Sequence, residues 1–140
     1  PTSKMSKSDK DPNGCVYIKD DNDTIMRKFK RAVTDSETCV RYDRQEKPGI
    51  SNLMEIYSAC TGKTYAEIET EFQGKGYGDF KPAVGEAVLS VTAPIRDEAQ
   101  RILKDKAYLE SVYRTGAEKA SYIAEKTLRK VYKKIGFVAR

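Results

Sequence analysis

The stretch PGISNLMEIYSACTG, residues 48–62, decides the fold class of this chain. Pro48 suits the first position of a helix, where no backbone N–H donor is needed. Gly62 stands just past the last apolar residue, where helices commonly end. Between them the apolar side chains recur at helical spacing and form one broad stripe: Leu53, Met54, Ile56, Tyr57 and Cys60. The stretch therefore predicts an amphipathic helix that buries one face against its neighbours.

On the N-terminal side a helix is predicted over residues 24–33. Its inner face has apolar residues at four-residue spacing: Ile25, Phe29 and Val33. Two short apolar runs, residues 15–18 and 40–42, lie outside any helical pattern and leave room for one or two very short strands.

On the C-terminal side four more helices are predicted, over residues 64–72, 79–105, 107–114 and 117–135. Thr64 and Glu67 form a capping box at the start of the first of these helices. Pro94 should kink the longest of these helices, because proline removes a backbone N–H donor. The apolar residues predicted on the inner face of that helix continue through Val91 and Ile95. Thr115 and Gly116 should separate the last two. The final helix has an apolar packing seam: Ala117, Ala120, Ala124, Leu128, Val131 and Ile135. The predicted fold class is mainly α, a helical bundle.

Composition narrows the possible functions. The chain has 140 residues, enough for one domain, and its net charge of +5 is compatible with nucleic-acid binding. It contains no histidine, which excludes Ser-His and Cys-His catalysis and histidine–metal sites. Its three cysteines form no CxxC pair, so reduced thiols in the cytoplasm are expected and no metal site is predicted. No apolar run approaches the roughly 20 residues that cross a bilayer, so no membrane contact is predicted.

Near its beginning the chain has a stretch suited to binding phosphate: Lys4, Met5, Ser6, Lys7 and Ser8. Two ammonium groups, two hydroxyls and exposed backbone N–H groups on a mobile loop can form charge-assisted hydrogen bonds to a polyphosphate. The alternative is a basic, solvated N-terminal tail.

The letters Lys-Met-Ser-Lys-Ser are identical to the second signature of class I aminoacyl-tRNA synthetases. Four further strings resemble the bacterial-type tryptophanyl members of that class: AVTDSE (32–37), KPGISNL (47–53), GYGDFK (76–81) and GAEKA (116–120). The chain is therefore identified as resembling the C-terminal portion of such an enzyme. Since it starts at Pro1 and lacks the histidine-bearing first signature, it is expected to be a piece of a longer protein, inactive alone.

The resemblance implies ATP-dependent activation of tryptophan and its transfer to tRNA(Trp), with Mg2+. Lys4 and Lys7 would be the catalytic lysines that neutralise phosphate charge. Met5, Ser6 and Ser8 would complete the ATP contacts. Tryptophan would bind the missing half, and the full-length protein is expected to be a cytoplasmic homodimer.

The predicted domains are the loop with its connector, residues 1–22, and an anticodon-binding-type helical domain, residues 23–140. The candidate RNA contacts lie between helices: Asp35, Ser36, Arg41, Arg44 and Lys47. Lys75 and Tyr77 are further candidates. An ordinary charged connection is the alternative for this region. For the whole chain the alternatives are a non-catalytic helical RNA-binding module, a protein-interaction module and a tyrosyl relative.

Overall fold

The computed structural model describes residues 13–138. It contains five α-helices: α1 (Asn22–Arg31), α2 (Pro48–Thr61), α3 (Tyr65–Glu71), α4 (Tyr77–Lys104) and α5 (Lys106–Ile135). The chain divides into two compact units, Pro1–Asp97 and Glu98–Arg140, and the boundary falls inside α4. The predicted mainly helical fold is confirmed. The predicted domain boundary after residue 22 stays a prediction.

The first unit has one hydrophobic core, to which each of its helices contributes. Thirteen buried apolar residues form it: Ile25, Phe29, Val40, Ile50, Leu53, Met54, Tyr57, Ile68, Phe72, Tyr77, Phe80, Val84 and Val88. At its centre the rings of Phe72 and Phe80 meet edge to face, with centroids 4.9 Å apart. Tyr57 packs against both of these rings. Such edge-to-face pairs add to the stability that comes from burial alone.

Helix α1 begins two residues before the predicted start and ends two residues before the predicted end. Asp21 caps it by accepting a hydrogen bond from Thr24 N at 2.7 Å. The helix stops at Arg31, and Val33 is 88% exposed, so the prediction that Val33 faces the core is wrong. The backbone comes close to another element here, because a Cβ placed on Gly49 would lie 2.4 Å from the carbonyl oxygen of Val33. The chain after α1 therefore lies directly against the start of α2.

Helices α2 and α3 follow their sequence signals. Gly62 ends α2 with a φ of 76°, a left-handed conformation that glycine adopts at little cost. The capping box of Thr64 and Glu67 opens α3, with both reciprocal hydrogen bonds formed.

No strand forms within residues 13–138, so the two short apolar runs are irregular segments. Side chains satisfy backbone groups there that a β-ladder would otherwise pair. Tyr42 N donates to Glu69 Oε1 at 2.8 Å, and the neighbouring Asp43 N donates to Ser51 Oγ at 2.8 Å. Cys15 O accepts from Lys28.

Helix α4 continues past Pro94, and its inner face is buried only in the first part. Val84 and Val88 belong to the core, whereas Val91 and Ile95 are 45% and 51% exposed. The prediction that Val91 and Ile95 continue the inner face of this helix is therefore wrong.

In the second unit α5 is one helix, so the predicted break at Thr115 and Gly116 is wrong. The cost of one helical glycine, about 1 kcal/mol, is small beside the strong helix formers around it. None of the α5 residues is buried, including those of the predicted packing seam. Among the described helices, none is long and apolar enough to cross a membrane.

Candidate functional site

The predicted phosphate loop, Lys4 to Ser8, lies outside the described residues, and its roles remain predictions. The segment that follows it, residues 15–20, is described, and Lys28 of α1 binds it. Lys28 is 7% exposed, and its Nζ donates to Cys15 O at 2.7 Å and to Asp20 Oδ2 at 2.6 Å. The ammonium also lies 5.1 Å from the centre of the Tyr17 ring. We call Lys28, Cys15, Tyr17 and Asp20 the Lys28 cluster.

Asp20 closes this segment into a turn. Its carboxylate accepts from Tyr17 N at 2.9 Å, while its own N–H donates to Tyr17 O at 3.0 Å. Burial raises the pKa of Asp20, but the hydrogen bonds from Lys28 and Tyr17 outweigh burial and hold the pKa below its ordinary value. The carboxylate is therefore charged at neutral pH and remains paired with the buried ammonium.

A second buried ammonium belongs to Lys47, whose side chain is 1% exposed. Its Nζ lies 2.6 Å from Glu37 Oε2 and donates to Tyr77 Oη at 2.8 Å. It also donates to Asp35 Oδ1 at 3.2 Å and to Cys39 O at 3.3 Å. We call these five residues the Lys47 cluster. Burial lowers the pKa of Lys47, but the hydrogen bonds to Glu37, Tyr77 and Asp35 outweigh burial and hold the pKa above its ordinary value.

Asp35 is the other charged centre of the Lys47 cluster. Its Oδ1 accepts from the Tyr77 hydroxyl at 2.7 Å and from Glu37 N at 3.0 Å. Burial raises the pKa of Asp35, but the bonds from Tyr77 and Lys47 outweigh burial and lower it overall. Its Oδ2 is buried without a hydrogen-bond partner. Tyr77 is 8% exposed with its hydroxyl inside this cluster, so the prediction that Tyr77 contacts RNA is wrong.

The two arginines of the same segment lie at the surface. The Arg41 side chain is 48% exposed and pairs with Asp43 at 2.8 Å. The Arg44 side chain is 71% exposed, and its Nη2 lies 2.8 Å from Glu55 Oε1. Arg44 Nε also donates to Tyr42 Oη at 2.8 Å. These contacts use part of each guanidinium, which has five N–H donors, so further donors are available to a phosphate.

Tyr42 connects the segment to α3. Its ring stacks on Tyr65, with centroids 4.1 Å apart and an interplanar angle of 10°. Its hydroxyl donates to Glu55 Oε1 at 2.8 Å, and this bond is the main cause of the lowered pKa of Glu55. Tyr65 is 37% exposed. An exposed tyrosine beside an exposed arginine is typical of surfaces that bind unpaired RNA bases.

The five predicted RNA contacts thus separate into two groups. Asp35 and Lys47 meet inside the Lys47 cluster, whereas Ser36, Arg41 and Arg44 are exposed. Sequence reasoning missed two partners that hold this segment, Tyr77 and Glu69, because they are 30 and 27 positions away from the residues they bind. It also missed Lys28, which stands among other cations of α1 and has no pattern of its own.

Other kinds of site find little support in the part of the chain that is described. No group of three or more potential ligands is arranged there to hold a metal ion. Cys15, Cys39 and Cys60 are free thiols, and burial raises the pKa of Cys60, which keeps that thiol protonated.

A family model described as tRNA synthetases class I (W and Y) matches residues 1–92. Among curated proteins, the tryptophan–tRNA ligase of Clostridium tetani is 51% identical to this chain and that of Clostridium perfringens 47%. The match covers 99% of this chain and 40% of the former relative, and 100% of this chain and 42% of the latter. The chain thus spans about two fifths of the length of these relatives.

Solved structures agree with the sequence matches. The tryptophanyl-tRNA synthetase of Campylobacter jejuni superposes with a TM-score of 0.77 over 96% of this chain and 41% of that one. The tryptophanyl-tRNA synthetase of Mycoplasma pneumoniae gives a TM-score of 0.71 over 98% of this chain and 42% of that one. Each is 27% identical to this chain.

Proposed function

Because the chain belongs to the class I tRNA synthetases of the tryptophan and tyrosine type, we propose that it forms the C-terminal part of a tryptophan–tRNA ligase. The observation that carries the proposal is the Lys-Met-Ser-Lys-Ser signature inside the matched range, residues 1–92. The identities of 45–51% to tryptophan–tRNA ligases favour tryptophan over tyrosine as the amino acid.

In this proposal Lys4 and Lys7 act on ATP. The tryptophan carboxylate attacks the α-phosphorus, and pyrophosphate leaves as tryptophanyl adenylate forms. Negative charge on the leaving phosphates rises during this step, and two ammonium groups held close to them stabilise it electrostatically. Met5, Ser6 and Ser8 complete the loop that binds the nucleotide. Mg2+ enters with the ATP phosphates.

The exposed part of the segment 35–47 is the proposed contact with the anticodon region of tRNA(Trp). The exposed guanidinium of Arg44 and the partly exposed ring of Tyr65 support this proposal, since they offer a phosphate contact and a stacking surface. Ser36 and Arg41 extend the same surface. Asp35 and Lys47 contribute from inside by holding the segment in place. The full-length protein is proposed to be a cytoplasmic homodimer that binds tryptophan outside this chain.

Exchange of pyrophosphate into ATP by the full-length protein tests the catalytic proposal. We expect exchange that requires tryptophan and does not proceed with tyrosine. Lys4→Ala and Lys7→Ala should each slow it about 100-fold, the typical effect of removing one charge-stabilising donor, with little change in the KM for tryptophan. Lys10→Ala is the matched control, a lysine of the same stretch outside the signature. Equal exchange in Lys4→Ala, Lys7→Ala and Lys10→Ala would refute the assigned roles.

A further inference from the structure

The positive charge of the chain is concentrated in its second unit. Residues 98–140 contain eleven lysines and arginines but five aspartates and glutamates, which gives a net charge of +6. Residues 1–97 contain fifteen lysines and arginines and sixteen aspartates and glutamates, which gives a net charge of −1. The long-range attraction of this chain for a polyanion therefore comes from the second unit. That unit lies beyond residue 92, where the match to the family model ends.

Six of these eleven cations lie on one side of α5. All six are exposed and fall within about 140° of the helix circumference at 3.6 residues per turn, and we call them the basic face: Lys119, Lys126, Arg129, Lys130, Lys133 and Lys134. Among the described residues, Arg129 is the only one of the six with a carboxylate partner, Glu125 at 3.5 Å, and the two side chains are 75% and 64% exposed. Such an exposed pair contributes little, so the donors of the basic face are available to a ligand.

The helix dipole accounts for only part of this pattern. Cations stabilise the last turn of a helix, and Lys133 and Lys134 lie there. Lys119, Lys126 and Lys130 lie before the last turn, where that effect has faded. They follow one line along α5 that is about 17 Å long, since each helical residue rises about 1.5 Å. A line of exposed ammonium groups matches the repeated charges of a nucleic-acid backbone.

The apolar seam of α5 lies on the other side of the helix. Its six residues, from Ala117 to Ile135, are centred about 150° away from the basic face. Protein that covers the seam would therefore leave the cations in solvent. A membrane fits less well, because inserting the seam into a bilayer would turn the cations away from the lipid phosphates.

Resting on the proposed function, we propose that the basic face of α5 binds phosphates of the tRNA backbone, in addition to the anticodon contact of the segment 35–47. Phosphate contacts carry no sequence information. The basic face thus raises the affinity for tRNA(Trp) and for other tRNA alike, and the anticodon contact selects between them. The alternative is a solvated face that binds nothing.

The full-length protein with three substitutions, Lys119→Gln, Lys126→Gln and Lys130→Gln, tests this proposal. Glutamine removes the charge and keeps the helix propensity of lysine. Each phosphate contact that is lost reduces the slope of log K against log salt by about 0.7 to 0.9, so the slope for tRNA(Trp) should fall by about 2 to 3. The loss of affinity between about 50 and 200 mM salt should be about 20- to 40-fold smaller than in wild type.

A second triple variant, with Lys30→Gln, Lys104→Gln and Lys106→Gln, is the matched control. It changes the net charge equally at exposed positions outside the basic face, and its slope should match wild type. Arginine in place of glutamine at positions 119, 126 and 130 should retain the wild-type slope. Tryptophan-dependent pyrophosphate exchange should be unchanged in all three variants, since the basic face takes no part in the reaction with ATP.

Equal slopes in the two glutamine variants would overturn the proposal. It would also be overturned if the basic-face variant kept the wild-type slope for tRNA but lost binding to vesicles of phosphatidylcholine and phosphatidylserine. Failure of the wild-type protein to attach tryptophan to tRNA(Trp) would instead overturn the proposed function. The two failures are therefore distinguishable.

Discussion

Replacing Lys47 by methionine removes the ammonium of the Lys47 cluster and keeps an unbranched side chain of similar length. Four contacts of the ammonium are lost together, those with Asp35, Glu37, Tyr77 and the carbonyl of Cys39. Asp35 Oδ1 keeps the bond from Tyr77, yet Asp35 loses its cation, and its Oδ2 is already without a partner. The variant should therefore unfold more readily than wild type.

The size of the effect follows from how far each partner is buried. Breaking a fully buried ion pair by removing one member costs about 3–5 kcal/mol. The Glu37 side chain is 62% exposed and will be rehydrated, so its pair contributes little. The Asp35 side chain is 20% exposed, which allows partial rehydration. We therefore expect a loss of about 2–3 kcal/mol in the free energy of unfolding, or roughly 10 °C in Tm for a chain of this size.

The loss should depend on pH in a defined direction. The lowered pKa of Asp35 means that its contribution is complete above its ordinary value of about 3.9 and disappears as pH falls through the lowered native value. The raised pKa of Lys47 means that its contribution is complete below about 10.4 and disappears at higher pH. The difference between wild type and Lys47→Met should thus be constant from about pH 5 to pH 9 and shrink below about pH 4.

Urea unfolding followed by circular dichroism at pH 7 and pH 3 measures this difference. Lys63→Met is the matched control, since the Lys63 ammonium also contacts a carboxylate, Glu71 at 2.9 Å, and lies over the Tyr57 ring, but its side chain is 41% exposed. Tyr77→Phe should cost about 1–2 kcal/mol by itself and less in the Lys47→Met background, because the two side chains share a bond. Equal midpoints for Lys47→Met and Lys63→Met at pH 7 would refute the reasoning.

Two further outcomes are expected. Arg44→Ala should weaken binding of full-length protein to tRNA(Trp) and reduce the slope of log K against log salt by about one, as loss of a single phosphate contact does. Arg101→Ala is its control, since Arg101 is equally exposed (68%) and likewise paired with a glutamate, and an equal loss in both variants would contradict a contact specific to Arg44. Gly116→Ala should stabilise α5 by about 0.5–1 kcal/mol, because an added Cβ meets nothing within 4 Å and alanine favours a helix. Lower thermal stability in Gly116→Ala would indicate the break that the sequence predicts at this position.

Local signals predicted most of the fold. The capping box at Thr64 and the glycine at position 62 act through nearby atoms, so their consequences can be inferred from a few letters. The path of the chain after α1 could not be inferred in this way, because Gly49 meets the backbone of Val33 across the fold. At Gly116 the local signal was misleading, since the strong helix formers around one glycine outweighed its cost.

The candidate site shows the same limit. The phosphate loop is predicted from five consecutive letters, whereas the surroundings of Lys47 depend on partners elsewhere in the chain. Lys47 was predicted to contact RNA because of its position between helices, and its burial among Asp35, Glu37 and Tyr77 depends on residues up to 30 positions away. The exposed Arg41 and Arg44 remain candidates because their carboxylate partners, Asp43 and Glu55, leave each guanidinium largely in solvent.

The two buried lysines each fix an irregular segment next to α1, one before this helix in the sequence and one after it. Lys28 fixes the irregular segment before this helix, and Lys47 fixes the irregular segment after it. Neither segment has a β-partner, so its carbonyls and carboxylates need donors from elsewhere. A flexible side chain with three donors can reach acceptors that lie in different directions, which a planar guanidinium does less readily. Two of the 26 cations therefore act inside the protein, each paired with carboxylates of the chain. The proposed RNA contact belongs to the segment that Lys47 holds.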